Sequence, residues 1–276
     1  MTFMEKLAGA WKKNDSLVCV GLDPDPAVIP AFLRNEKHPL FSFNKAIIDA
    51  TKDCVCAYKP QAAYYAGSGA DEDLRLTIEY ILAAAPEVPV ILDAKRADIG
   101  ATSRMYAKEA FERYQADAVT VNPYMGMDAL KPFLDRADKG VIVLCRTSNP
   151  GAKEIQELKI DGVELYKHIA RLVSTDWNYN GNTMLVAGAT FPEELGEIRR
   201  IAGSVPLLVP GVGAQGGDVK AVLRNGLTED GTGLVINSSR GIIYASAGED
   251  FAEAAGAAAR KLRDTINGFR AQSEEN

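Results

Sequence analysis

Apolar, β-branched runs alternate with helix-periodic segments from one end of the chain to the other. The strand-like runs begin at Leu17 (LVCVGLD), Val55 (VCAYKPQ), Val88 (VPVILDAKR) and Ala118 (AVTVNPY). Four more begin at Gly140 (GVIVLCRTSN), Thr183 (TMLVAGAT), Pro206 (PLLVPGVG) and Gly233 (GLVINSSRG). Their near-continuous apolarity is that of strands covered on both faces. Between them lie helical patterns such as DEDLRLTIEYILAAA, MDALKPFLDRA, PEELGEIRRIAG and the closing DFAEAAGAAARKLRDTINGFRA. Pro192 followed by Glu193 and Glu194 suits a first helical turn. The opening MTFMEKLAGAWKKND reads as a short amphipathic helix. It carries Glu5, Lys6, Lys12 and Lys13 where a signal peptide would be apolar.

Eight β-then-α units in 276 residues match a (β/α)8 TIM barrel, which typically takes about 250 residues. A doubly wound open sheet is the rival α/β reading, usually with fewer strands per domain. No Pro/Gly/Ser-rich linker or shift in composition marks a boundary, so one domain over residues 1–276 is expected. The longest irregular stretch, TSNPGAKEIQELKIDG, follows the fifth strand, where a barrel places active-site loops. Polar residues gather at strand ends: Asp23, Lys59, Asp93, Lys95, Asn122, Ser148, Gln215 and Arg240. In a barrel these ends converge on one rim. Strand ends meet water in any fold, which explains one such residue better than two lysines and two aspartates inside apolar strands.

The composition, 47% hydrophobic and 25% charged, is that of a globular chain. A formal charge of −6 argues against broad nucleic-acid binding and leaves room for a local basic pocket. No apolar stretch reaches the roughly 18 residues of a membrane span, so a cytoplasmic protein without membrane contact is expected. Cys19, Cys54, Cys56 and Cys145 each fall in an apolar run, with Cys54 and Cys56 on one face of a strand. They read as buried small hydrophobes in a reducing compartment. His38, in a loop, and His168, in a helical pattern, give no basis for a His triad or metal centre. Trp11 and Trp177 read as packing residues, and Arg199–Arg200 and Arg260–Lys261 as solvated helix faces.

The sharpest local feature is LDAKRADIGATS, Leu92 to Ser103. Asp93 and Lys95 are two apart on a strand and so share a face. Asp98 follows beyond the strand end, and Lys59, ending the second strand, can balance both carboxylates. Such buried charges cost several kcal/mol unless they satisfy one another, and at this depth they point to function. A rim-stabilising ion-pair network is the bland alternative. The second feature is VPGVGAQGGD, Val209 to Asp218. Gly211, Gly213 and Gly216 satisfy GxGxxG, yet the segment lies late in the chain and no acidic strand end follows at the dinucleotide-binding spacing. With Arg240 nearby, it reads better as a barrel phosphate site built by the loops after strands 7 and 8.

These motifs together resemble the orotidine 5′-phosphate decarboxylases, in their longer bacterial branch. The likeness rests on GLDPDP (21–26), YKPQAAYY (58–65), LDAKRADIGATS, CRTSNPGA (145–152), VPGVGAQGGD and Ser239-Arg240-Gly241, in family order. DxKxxD alone also occurs in related barrels that decarboxylate or aldol-cleave sugar phosphates. Position 97 departs from the pattern, with Ala97 where the branch has glycine. The resemblance implies decarboxylation to UMP, with Lys95 protonating C6 of the pyrimidine and Asp93 beside the substrate carboxylate. Lys59 and Asp98 would complete a Lys–Asp–Lys–Asp array, Asp98 coming from the partner subunit of a homodimer. Asp23 and the partner subunit's Thr102 would hold the ribose, Ser148 would contact the pyrimidine, Gln215 and Arg240 would grip the phosphate, and Pro210 would line the substrate site. No cofactor and no metal is implied. The competing readings are a Mg²⁺-dependent sugar-phosphate decarboxylase or aldolase of the same barrel group, and a non-catalytic nucleotide-binding barrel.

Overall fold

The structure, a computed structural model, describes residues 1–212 and 218–274. Each of the eight expected runs forms a strand: β1 (Val18–Leu22), β2 (Ala57–Pro60), β3 (Ile91–Arg96), β4 (Ala118–Val121), β5 (Gly140–Arg146), β6 (Thr183–Ala187), β7 (Leu207–Pro210) and β8 (Leu234–Ser238). All ladders of this sheet are parallel, in the order β2-β1-β8-β7-β6-β5-β4-β3. The bridges Tyr58↔Val90 and Gln61↔Asp93 join β2 to β3 and bring the ends of the sheet together as a barrel. Helices alternate with the strands, among them α1 (Phe3–Lys13), α2 (Pro39–Thr51), α3 (Ala62–Gly67), α4 (Asp71–Ala84), α5 (Gly100–Lys108), α6 (Met127–Leu134) and α7 (Lys153–Gln156). There follow α8 (Leu165–Ser174), α9 (Pro192–Ala202), α10 (Val219–Gly226), α11 (Arg240–Ile243) and α12 (Phe251–Glu274).

One apolar cluster fills the barrel and a larger one lies between strands and helices. The interior cluster takes Cys19, Ala57, Ile91, Ala118, Ile142, Met184 and Val235 from successive strands, and it is plugged from below by Phe3, Leu7 and Ala10 of α1. A capping box between Thr2 and Glu5 starts that helix. Lys6 fixes it through a 2.7 Å ion pair with Asp117, at the N-terminal end of β4. Gly140 is needed here: a Cβ on it would lie 2.3 Å from Phe3 Cδ1. Side-chain alternation then dictates the layer above. Two residues on from the interior set stand Gly21, Lys59, Asp93, Thr120, Leu144, Val186 and Asn237. The barrel's upper floor is thus polar on one side and apolar on the other.

Three expectations are corrected. Cys54 and Cys56 precede β2 in a bend, so they do not share a strand face, although all four thiols are free and buried. The segment after β5 is not wholly irregular: it holds a 3-10 turn at Pro150–Ala152, α7, and a ribbon pairing Lys159–Ile160 with Val163–Glu164. Arg199 is not solvated. It is 9% exposed, and its guanidinium donates to the carbonyls of Gly203, Val205, Gly226 and Gly233. There it closes the bottom of β7 and β8, and burial lowers its pKa to about 10. Trp177 is buried and Trp11 packs partly buried against the core, also donating from Nε1 to the Leu234 carbonyl. No helix among the described residues is long and apolar enough to cross a membrane.

Candidate active site

At the C-terminal end of the barrel the centre of the polar floor is Asp93, 6% exposed. Four donors converge on its carboxylate. Oδ1 accepts from Lys95 Nζ at 2.7 Å and Thr120 Oγ1 at 2.8 Å; Oδ2 accepts from Lys59 Nζ and Gln61 Nε2, both at 2.9 Å. Lys59, 4% exposed, has a second anion in Asp23, whose Oδ1 lies 4.0 Å from Nζ. Charges therefore alternate Asp23, Lys59, Asp93, Lys95 across the floor. Burial opposes ionisation of Asp93, but Lys59 and Lys95 outweigh it and hold the carboxyl well below its usual range. Burial likewise opposes charging of Lys59, but Asp93 and Asp23 overcome it and raise its pKa.

Lys95 reaches this array by a backbone distortion. Its φ is +47°, a left-handed value costly for a side chain with Cβ, and the β3–β4 register shifts between Leu92 and Arg96. The Lys95 N–H to Thr120 Oγ1 bond of 2.9 Å and the Asp93 ion pair hold it there. Strain so over-determined is a mark of functional sites. Simple alternation correctly pairs Asp93 with Lys95 but misses this kink.

Two cavities adjoin over the floor. One, about 440 Å³, is lined by Lys95, Thr120, Leu144, Ser148, Val186 and Leu208; the other, about 390 Å³, by Asp23, Gln61, Tyr64, Asn237, Ser239 and Arg240. Both are bordered by Lys59, Asp93 and Pro210. The first suits a planar, partly apolar group beside an ammonium. The second suits a polar group ending at a cation, and it contains two buried acceptors, Asp23 Oδ1 and Asn237 Oδ1, without hydrogen-bond partners among the described residues.

The structure thus gathers Asp23, Lys59, Asp93, Lys95, Ser148, Pro210 and Arg240 around one space. It does not bring Asp98 or Thr102 there. Asp98 Oδ1 accepts from Ile99 N, Thr102 is exposed on α5, and neither lines the two cavities. Gln215, with Gly213 and Gly216 of the glycine motif, lies outside the described residues. Among the described residues no group of three His, Cys, Asp or Glu is placed to hold a metal ion. Sequence reasoning missed Gln61, Thr120, Asn237 and Arg146. The first three carry a usable signal, since each is in register with a predicted interior position. Arg146 at the end of β5 is 1% exposed and pairs with Glu157 and Glu194.

Comparison with known proteins agrees with this geometry. Residues 16–255 match the model of the orotidine 5′-phosphate decarboxylase / HUMPS family. The orotidine 5′-phosphate decarboxylase of Ralstonia pickettii is 59% identical over 270 residues, covering 98% of this chain and 100% of that protein. That of Azoarcus sp. is 57% identical over the same shares. Among solved structures, Leishmania donovani OMP decarboxylase superposes with a TM-score of 0.84 at 38% identity, covering 98% of this chain and 99% of the other.

Proposed function

The chain belongs to the orotidine 5′-phosphate decarboxylase family, and from that premise we propose how its residues carry out the reaction. It converts orotidine 5′-phosphate to UMP and CO₂ in pyrimidine biosynthesis. The observation that carries the mechanism is the buried carboxylate of Asp93 aligning two ammoniums on one floor.

In this reading Arg240 and Gln215 grip the phosphate, Pro210 borders the substrate space, and the ribose lies over Asp23. The pyrimidine enters the cavity beside Lys95 and Ser148. The C6–carboxylate bond breaks, CO₂ departs, and the electron pair stays at C6 in the ring plane, where no π-system can accept it. The Lys95 ammonium stabilises that charge electrostatically and then gives its proton to C6; the neutral amine is reprotonated from solvent. Asp93 aims the ammonium while its own charge faces the departing carboxylate. Binding energy at the remote phosphate orients the reacting ring. No metal or cofactor takes part in this scheme. Purified protein in excess EDTA is expected to consume orotidine 5′-phosphate with matching appearance of UMP. Loss of activity in EDTA and its return with Mg²⁺ would overturn the metal-free scheme.

The site is completed by a second copy. Asp98 and Thr102 lie outside their own cavities, and their near neighbours in sequence Ile99 and Met105 leave apolar side chains 60% and 63% exposed, which a second copy would cover. In a homodimer of shared sites, Asp98 of the partner subunit would extend the charge array and the partner subunit's Thr102 would meet the ribose. Mixing inactive Lys95→Ala with inactive Asp98→Ala should then restore activity, because one site of each mixed dimer has all its residues. No recovery from exchanged subunits would contradict sharing. Four buried free thiols support a reducing, cytoplasmic setting.

A further inference from the structure

Arg146 is the largest fully buried side chain among the described residues, and the reaction scheme gives it no task. It ends β5 two residues before Ser148. Its guanidinium lies over the Phe191 ring at 4.2 Å. It donates from Nη2 to Glu157 at 2.6 Å, from Nη1 to Gln156 Oε1 at 3.4 Å, and from Nε to Glu194. Glu194 belongs to the first turn of α9, part of the barrel body, whereas Gln156 and Glu157 belong to the segment that follows β5. One desolvated cation thus spans from body to segment.

The same segment is stapled to itself beside that cation. Gln156 Oε1 accepts from Thr147 N at 2.9 Å, and Gln156 Nε2 donates to Thr147 Oγ1 at 2.8 Å. Ser148, between the staple and the cavity, rests its main chain on Gly188 at the end of β6. A Cβ there would come within 3.0 Å of Ser148 N. Apolar burial within the segment is small: Ala152 is buried, but Ile155, Leu158 and Ile160 are 53%, 56% and 50% exposed. What fastens it is charge and hydrogen bonding. A buried cation is strongly held only while its anions stay in place, so moving the segment outward strands Arg146 without Glu157.

We propose that Arg146 is a positioning residue: through Glu157, Gln156 and Glu194 it clasps residues 147–157 to the barrel and so sets where Ser148 meets the pyrimidine. This rests on the reading of Ser148 as the pyrimidine contact. The test is a double-mutant cycle on kcat/KM for orotidine 5′-phosphate, with Arg146→Met and Ser148→Ala singly and together. Arg146→Met alone should cost on the order of 10- to 100-fold, the scale of a misplaced contact. In the Ser148→Ala background it should cost little more, since the clasp acts through a side chain already removed. Glu157→Gln, a change at a half-exposed residue that leaves the core intact, should cost less than Arg146→Met and likewise lose its effect without Ser148. Equal losses in both backgrounds would overturn the clasp while leaving the Ser148 contact standing. A Ser148→Ala enzyme with wild-type kcat/KM would overturn the contact and the clasp with it, and failure of the wild-type protein to turn over the substrate would instead refute the functional reading.

Discussion

Lys95→Ala is expected to lower kcat for decarboxylation by on the order of 10⁵. General acid catalysis typically contributes 10² to 10⁴ and one preorganised charge aimed at the developing anion a further 10² to 10³. Both functions fall on the same ammonium. The fold should survive, because the Lys95 side chain is 47% exposed and Asp93 keeps three other donors. Relief of the left-handed backbone strain is not available to alanine, so no large gain in stability is expected either. Circular dichroism and thermal melting close to wild type, together with near-complete loss of UMP formation, form the expected pair of results. Turnover near the wild-type rate would refute the assigned role.

Asp93→Ala is expected to show the largest combined effect on stability and activity. Removing the carboxylate leaves Lys59 buried with only Asp23, at 4.0 Å, and sets two ammoniums on one floor without the anion between them. Breaking a buried pair from one side costs about 3–5 kcal/mol. The pH dependence has a definite sign. Asp93 is held below its ordinary pKa, against burial, by Lys59 and Lys95. Its stabilisation is therefore present above the unfolded carboxylate value of about 4 and is lost as pH falls through the lower folded value. Lys59 is raised, against burial, by Asp93 and Asp23. Its contribution is present below the unfolded lysine value of about 10.4 and is lost as pH rises through the folded one. Urea unfolding of wild type and Asp93→Ala should differ most near neutral pH, and the gap should narrow below about pH 4. A gap independent of pH would contradict the ionised, lysine-held carboxylate.

Much of this was legible in the residues themselves. The eight strands stood out because a barrel strand is apolar on both faces, and the Asp93–Lys95 pair because charges are costly in such a setting. The remainder depends on which surface covers which. Asp98 and Thr102 do not face their own cavities, and no pattern within one chain shows where a second copy sits. In sequence Arg199 reads as solvated because arginine on a helix usually is. Yet the buried positions of α9 are Leu195, Ile198, Arg199 and Ala202, so Arg199 stands on the apolar stripe. The spacing carried that signal. Its satisfaction by four backbone carbonyls did not show, since those come from loops remote in sequence. Thr120 and Asn237 follow Ala118 and Val235 at the strand period, so their inward direction was readable, but their partners were not. The left-handed Lys95 is a tertiary effect: Thr120, from the next strand, supplies the acceptor that fixes it.

The proton-donor role of Lys95 is tested most directly by rebuilding its ammonium. The chain's own four cysteines are buried, and burial raises their thiol pKa values, that of Cys19 to about 12. A Lys95→Cys thiol, at a half-exposed site, should therefore be the one that 2-bromoethylamine alkylates in the folded protein. The unmodified variant should be as inactive as Lys95→Ala, and aminoethylation should restore UMP formation while alkylation with neutral iodoacetamide should not. Full aminoethylation at position 95 with no return of activity would contradict the assignment.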